Sequence, residues 1–254
     1  MRSGTGLDTD GFRSASRGHT PPVRLVTLPG VFKPISDSRF LADVLREQTL
    51  PPRASVLDLC TGSGILAVTA AMRGAREVHA VDVSRRAVMT VKMNARLNGV
   101  KVCAHRGDLF AAVGEQRFDA IVSNPPYVPA ETDELPTSGP SRAWDAGRDG
   151  RVVLDRIIAD APAHLRPGGF ILLTHSSILG TERTLADLAE AGMSAEVVAR
   201  RRGPLGPLMS ARVQTLEAQG LLAPGQRHED VVIIRGRMPA RVTRGSDARS
   251  YASA

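Results

Sequence analysis

The stretch Val56-Leu57-Asp58-Leu59-Cys60-Thr61-Gly62-Ser63-Gly64 decides the architecture. Residues 55–59 form an apolar run with one acid and predict a buried strand. A glycine-containing turn follows, and residues 65–73 predict a helix that Gly74 ends. A buried strand turning straight into a helix is the first unit of a parallel sheet covered by helices. Such sheets bind ligands beyond the carboxyl ends of their strands, where strand order reverses. Gly62 and Gly64 would let a ligand approach the backbone, because no Cβ intervenes. Alone, a GxG is also what any tight strand-to-helix turn looks like.

Two acids downstream strengthen the ligand reading. Asp82 follows a second predicted strand, 77–81, where a carboxylate can accept hydrogen bonds from two ribose hydroxyls. Asp108 follows a third, 100–104, where the carboxylate or adjacent backbone can meet an adenine amine. A dinucleotide is disfavoured. Ala67 stands where G-x-G-x-x-G needs its third glycine, and Asp58 would face a pyrophosphate. An acid there suits a cation, such as the ammonium of an amino-acid moiety.

The pattern continues outward in alternation. Helices are predicted over 37–48, 84–98 (Ser84 as N-cap, Gly99 as C-cap), 151–165 and 182–191. Further strands are predicted over 118–122, 169–174, 195–199 and 231–235. Residues 124–150 read as a long Pro-rich loop, and 203–226 as irregular with one helical piece. The count fits an α/β, Rossmann-like sheet of seven strands, mostly parallel, with helices on both faces. Residues 1–22 and 240–254 read as disordered tails around one domain, 23–239.

The composition agrees with one domain. The 254 residues are 42% hydrophobic and 23% charged, enough for a sizeable core, and only 4% aromatic, so that core is aliphatic. The net charge is +7, but the charges are spread and stacking aromatics are scarce. Solvated arginines therefore account for the excess better than a nucleic-acid surface, which stays the less favoured partner. Cys60 and Cys103 belong to no Cys/His cluster, so no metal site is expected, and both lie in apolar runs that predict buried thiols. Residues 1–22 contain no apolar stretch of a secretory signal, and no apolar run is long enough to span a bilayer. A cytoplasmic location with no membrane partner is the expectation.

The chemistry is read from the end of the fourth strand, Ser123-Asn124-Pro125-Pro126-Tyr127. An amide nitrogen is a weak nucleophile because its lone pair is delocalised. The Asn124 side-chain oxygen can accept one of its N–H bonds, and the Pro125 carbonyl the other. Consecutive prolines stiffen the turn, so both acceptors are fixed. Tyr127 offers a flat face on which a planar group can stack. Positioning would be the main catalytic contribution, and no Ser or Cys nucleophile is needed.

These residues carry a family resemblance. Asn124-Pro125-Pro126-Tyr127 after such a strand resembles the amino-methyltransferases that include DNA adenine methylases and release-factor glutamine methyltransferases. Pro34-Ile35-Ser36-Asp37-Ser38-Arg39-Phe40-Leu41 resembles the P-x-E-D-[ST]-x-x-L segment of the eukaryotic and archaeal release-factor type. Asp58 to Gly64 resembles its cofactor loop, and Ala143 to Arg151 its A-W-x-G-G-x-x-G-R stretch. The likeness covers residues 26–175. It implies the class I methyltransferase fold, S-adenosylmethionine as cofactor, and the glutamine of the release-factor GGQ motif as acceptor, with lysine for some members. It also implies cofactor contacts at Ser38, Asp58, Cys60, Asp82, Asp108 and Leu109, beside Gly62 and Gly64, and a substrate nitrogen held by Asn124 with Pro125. An activating partner subunit, needed by some relatives, is a further implication. Ser36 stands where the family has Glu, and Cys60 and Ala146 where it has glycines. Too few residues precede the cofactor loop for the helical domain of the bacterial enzymes, and 203–226 is longer than the family's last crossover.

Alternatives stay open at this stage: a nucleic-acid base or a small-molecule amine or amide as acceptor, or a binding module that keeps the fold without catalysis. The histidines are scattered, and none forms a catalytic pair with a Cys or acid. Trp144 reads equally as loop anchor or substrate wall. Arg200-Arg201-Arg202 reads as a solvated strand end.

Overall fold

The structure, a computed structural model, describes residues 22–31 and 36–240. The expected tails lie outside the described residues except for Pro22 and Ala240, as do Pro34 and Ile35. The order of elements is α1 (Ser36–Glu47), β1 (Ser55–Leu59), α2 (Ile65–Met72), β2 (Glu77–Asp82), α3 (Arg85–Leu97), β3 (Cys103–Arg106), β4 (Phe118–Ser123), α4 (Val152–His164), β5 (Leu165–Ser176), α5 (Thr181–Glu190), β6 (Ser194–Pro204), α6 (Pro207–Ser210), α7 (Val213–Ala218) and β7 (His228–Arg237).

The strands form one sheet in the order β3-β2-β1-β4-β5-β7-β6. Strands β1 to β5 are parallel, and β7 runs antiparallel to both its neighbours. The expected seven-stranded, mostly parallel Rossmann-like sheet is what forms. Order reverses between β1 and β4, so the crevice for a ligand opens beyond their carboxyl ends.

Alternation along β1 splits the core. Val56 packs with α1, α2 and α3 on one face, while Leu57 and Leu59 pack with α4 and α5 on the other. All five residues of β1 are buried, as a central parallel strand covered on both faces requires. Ser84 caps α3 as expected, its side chain accepting from Ala87 N.

Four expectations needed correction. Strand β3 begins at Cys103 rather than Val100, because Val100 N closes the end of α3 on Ala95 O. Cys103 is exposed instead of buried, since β3 is an edge strand. Strand β6 continues through the three arginines to Pro204, because β7 pairs with it from Arg237 to His228. Charged residues suit such an edge. The segment beyond contains two short helices rather than one.

Candidate active site

A cavity of about 780 Å³ lies over the carboxyl ends of β1, β2 and β4. Its lining brings together Ser38, Cys60, Gly62, Asp82, Asp108, Leu109 and the whole of Asn124 to Tyr127. Asp82 is oriented by its neighbours' backbone: Gly62 N donates to Oδ2 at 3.0 Å and Ser84 N to Oδ1 at 2.8 Å. Burial raises the Asp82 pKa above the usual carboxylate range, and those amides oppose the rise. Asp108 pairs with Arg156 at 2.6 Å. The N-terminal segment steadies the loop through buried Asn94, whose Nδ2 donates to Val26 O and to Ser63 O.

Asp58 and Gly64 depart from the sequence reading. Asp58 is fully buried and is not among the lining residues. Its Oδ2 accepts from Thr61 Oγ1 at 2.5 Å and Ala67 N at 3.0 Å, while Oδ1 is buried without a partner. It therefore ties the loop to the start of α2 from beneath the cavity floor instead of forming a cavity wall. Burial, the largest cause, pushes its pKa up to about 7. At Gly64 a Cβ would stand 3.0 Å from Val91 Cγ2 and 3.2 Å from Val91 Cα, so this glycine lets α2 pack on α3. At Gly62, in contrast, a Cβ would meet nothing nearer than Cys60 O at 4.0 Å, and the residue faces the cavity. Cys60, where the family has glycine, adopts φ +55°, the left-handed region that a glycine enters without strain.

The acceptor end is assembled from distant parts of the chain. Asn124 Nδ2 donates to Ser38 Oγ at 2.9 Å. That bond fixes the amide so that Oδ1, buried and without a partner, is the group left to accept. Ser38 thus holds Asn124, in addition to lining the cavity. The Tyr127 hydroxyl donates to Asp37 Oδ2, and burial followed by the Asp37 charge pushes its pKa well above the usual phenol value. Arg201 Nη2 donates to Asp37 Oδ1 at 2.9 Å, and its guanidinium stacks on Phe40 at 4.7 Å. The first turn of α1 is therefore a plate to which both Asn124 and Tyr127 are fastened.

The loop after Tyr127 is ordered by its own ladder. Val128 N donates to Trp144 O at 2.7 Å, Ala146 N to Val128 O at 3.1 Å, and Ala130 N to Gly147 O at 2.8 Å. Gly150, at φ +74°, leaves no room for a Cβ, which would lie 2.6 Å from Tyr127 O. Residues 144–147 thus pair with the segment after the prolines around a single bridge, Val128 to Asp145. Trp144 lines the cavity and packs against the core. Arg151, only 1% exposed, joins α4 to α5 through Leu179 O, Thr184, Asp155 and Asp187.

Sequence reasoning missed Asp37, Arg201 and Glu229 as functional neighbours. The P-x-E-D-[ST] likeness included Asp37 without assigning it a role. Nothing local marks Arg201, which pairs across 164 positions. Arg200 pairs with Asp230, so this arginine run is more than a solvated end. His79 does pair with an acid, Glu77, at 2.9 Å, and its other nitrogen lies 3.0 Å from His105. Neither histidine is among the residues that line the cavity.

Comparison with known proteins agrees with this geometry. Residues 22–137 match the family described as the methyltransferase small domain. A Methanocaldococcus jannaschii protein provisionally named a protein N5-glutamine methyltransferase is 35% identical, over 74% of this chain and 93% of its own length. The ribosomal protein uL3 glutamine methyltransferase of Bradyrhizobium diazoefficiens is 45% identical over 53% of this chain, and the match spans 43% of that enzyme. The release factor glutamine methyltransferase of Mycolicibacterium smegmatis is 36% identical over 70% of this chain and 66% of its own length. Among solved structures, the E. cuniculi Mtq2-Trm112 complex, responsible for methylation of the eRF1 translation termination factor, superposes with a TM-score of 0.54 at 24% identity. That match covers 82% of this chain and 99% of the other, and shares the fold. With an intact Asn124 turn on a class I sheet, and likeness across nearly the whole of the Methanocaldococcus protein, the chain is a methyltransferase and belongs to the protein N5-glutamine methyltransferase family.

Proposed function

We propose that the protein uses S-adenosylmethionine to methylate the side-chain amide nitrogen of a glutamine in a protein of the translation apparatus, a peptide release factor in the first instance. The observation that carries this reading is the unpartnered, buried Oδ1 of Asn124, a cavity-lining residue whose Nδ2 is engaged by Ser38. A buried acceptor without a donor is costly unless a ligand supplies one, and an amide N–H is such a donor.

The residues fit the cofactor. Asp82 has both oxygens anchored by backbone amides yet lines the cavity, which suits two vicinal hydroxyls. Gly62 opens the floor, and Leu109 and Asp108 border the same space. When bound, S-adenosylmethionine supplies a methyl group on a positively charged sulfur. Asp58 orders the loop from below. Asn124 Oδ1 and the Pro125 carbonyl orient the acceptor nitrogen, and they stabilise positive charge as it develops there. Tyr127, held by Asp37, supplies the flat wall.

The relatives' names favour translation proteins, which fits a cytoplasmic site of action; among the described residues no helix is long and apolar enough to cross a membrane. The E. cuniculi relative is a two-protein complex, so a partner subunit belongs in the assay. The test incubates the protein with labelled cofactor and, separately, release factor, ribosomal proteins, total RNA, DNA and a metabolite extract. Label on a glutamine of the release factor supports the proposal. Label confined to RNA, DNA or metabolites overturns it.

A further inference from the structure

The connection between β6 and β7 has no part in the chemistry above, yet it folds over the acceptor end. Helix α6 brings Pro207, Leu208 and Met209 to the cavity. Two side chains fasten it there. Arg212 Nη1 donates to Pro129 O at 2.5 Å, and Nη2 pairs with Asp145 Oδ1 at 2.7 Å. Pro129 lies two residues beyond Tyr127, and Asp145 is bridged to Val128. At the other end, Glu229 Oε1 accepts from Gly206 N at 2.9 Å. Glu229 also lines the cavity, and its charge helps to raise the Tyr127 pKa.

We propose that α6, fastened by Arg212 and Glu229, is the wall that recognises the acceptor peptide, with Arg212 as a positioning residue and Glu229 as a selector of flanking residues. The proposal rests on the glutamine reading and deepens it. Pro207, Leu208 and Met209 give an apolar surface for the two methylenes of a glutamine side chain. Glu229 is a carboxylate beside that surface. It favours an N–H donor or a cation next to the acceptor residue and disfavours an acid. Arg212 transmits the wall's position to the catalytic turn through one hydrogen bond and one ion pair, so losing it displaces the acceptor without touching the cofactor end.

The test uses the full chain and peptides in which one glutamine is flanked by Gly, Lys or Asp. KM and kcat are measured for each, and the cofactor Kd by calorimetry. The native protein is expected to show a KM roughly tenfold higher for the Asp-flanked than for the Lys-flanked peptide. Glu229→Gln should shrink that ratio to about threefold or less, as one charge is lost. Arg212→Ala should raise KM about tenfold for all three at unchanged cofactor Kd, with Arg212→Lys intermediate because it keeps a charge but not the fork. Should Arg212→Ala fail to fold, Leu208→Ala tests the same wall through KM. Wild-type KM values and ratios in folded variants overturn the wall alone. Absence of label on every glutamine peptide and protein, with label on another acceptor, overturns the glutamine reading and the wall together.

Discussion

The two ends of the cavity are held in different ways. At the cofactor end the two strand-end acids are fixed by groups near in sequence, Asp58 by Thr61 and Ala67, three and nine positions away, and Asp82 by Ser84 and Gly62, two and twenty away, while Asn94 to Ser63 across 31 positions and Arg156 to Asp108 across 48 are its longer ties. At the acceptor end every fastening is long-range: Asn124 to Ser38 across 86 positions, Tyr127 to Asp37 across 90, and Asp37 to Arg201 across 164. The acids of the cofactor end are thus set mainly within their strand–turn–helix units, with a few longer ties. The acceptor end exists only once the sheet is complete. Substitutions at one end should therefore leave the other intact, and each prediction below tests that separation.

The largest effect is expected at Asn124. Asn124→Ala removes the unpartnered acceptor and should lower kcat by about 10²–10³-fold, the cost of losing one preorganised partner of a developing charge. The cofactor Kd, measured by calorimetry, should not change. A parallel loss of cofactor affinity would break the comparison, since it would mean that the two ends share their supports.

The next effect lies at the cofactor end and is read in pH. With its pKa raised by burial from 3.8 to about 7, native Asp58 holds a proton that the unfolded chain releases. Its contribution to stability therefore falls as pH rises from about 4 through 7. His175 acts in the opposite sense. Burial lowers its pKa from 6.5 to about 4, so stability falls as pH drops through that range. In the native protein the two slopes oppose each other below about pH 6.5. Asp58→Asn should remove the first and leave stability rising with pH between 4 and 6.5. The difference between variant and native protein should grow by about 2–4 kcal/mol from pH 4 to pH 7, measured by denaturant unfolding. Equal pH profiles would show that Asp58 is ionised in the fold.

Arg201 sharpens the comparison from the far edge of the sheet. Arg201→Ala takes from Asp37 its ion pair and from Phe40 its stacked cation. The Tyr127 wall should loosen, with kcat lower by about tenfold, roughly one charge-assisted bond, and the cofactor Kd unchanged. Arg200→Ala is the control. Its pair with Asp230 joins β6 to β7 at a half-exposed site and is expected to leave kcat alone.

The same division explains what the sequence made legible. The bounds of strand β1, of the loop from Cys60 to Gly64 and of the start of α3 are legible to within a residue or two, whereas the ties of that loop to Asp82 and Asn94 come from the tertiary fold. Asn124 was legible because a strand end and two prolines stand beside it. Arg201 and Arg212 were not, because each finds its partner through the tertiary fold and leaves no local trace. Asp58 was legible as an acid at the right place, but not as a buried one: burial depends on α2 packing over it. Cys103 departs from its expected burial for a related reason. An apolar run suggests a buried strand, and only the strand order reveals that β3 is an edge.

The smallest expected effect concerns Cys60, the cofactor loop's departure from the glycine of its family. At φ +55° a side chain is strained by about 1 kcal/mol relative to glycine. Cys60→Gly relieves that strain but loses the packing of the thiol against the core. Cys60→Ala keeps the strain and loses the sulfur as well. Cys60→Gly should therefore be more stable than Cys60→Ala by about 1 kcal/mol, while remaining close to the native protein. The thiol itself is pushed well above its usual pKa, by burial first and then by the charges of Asp82 and Asp58. At pH 7.5 a thiol reagent should label exposed Cys103 quickly and Cys60 slowly, and Cys103→Ser should abolish the fast phase. Fast labelling that survives Cys103→Ser would show that burial and the charges of Asp82 and Asp58 do not hold the Cys60 thiol protonated.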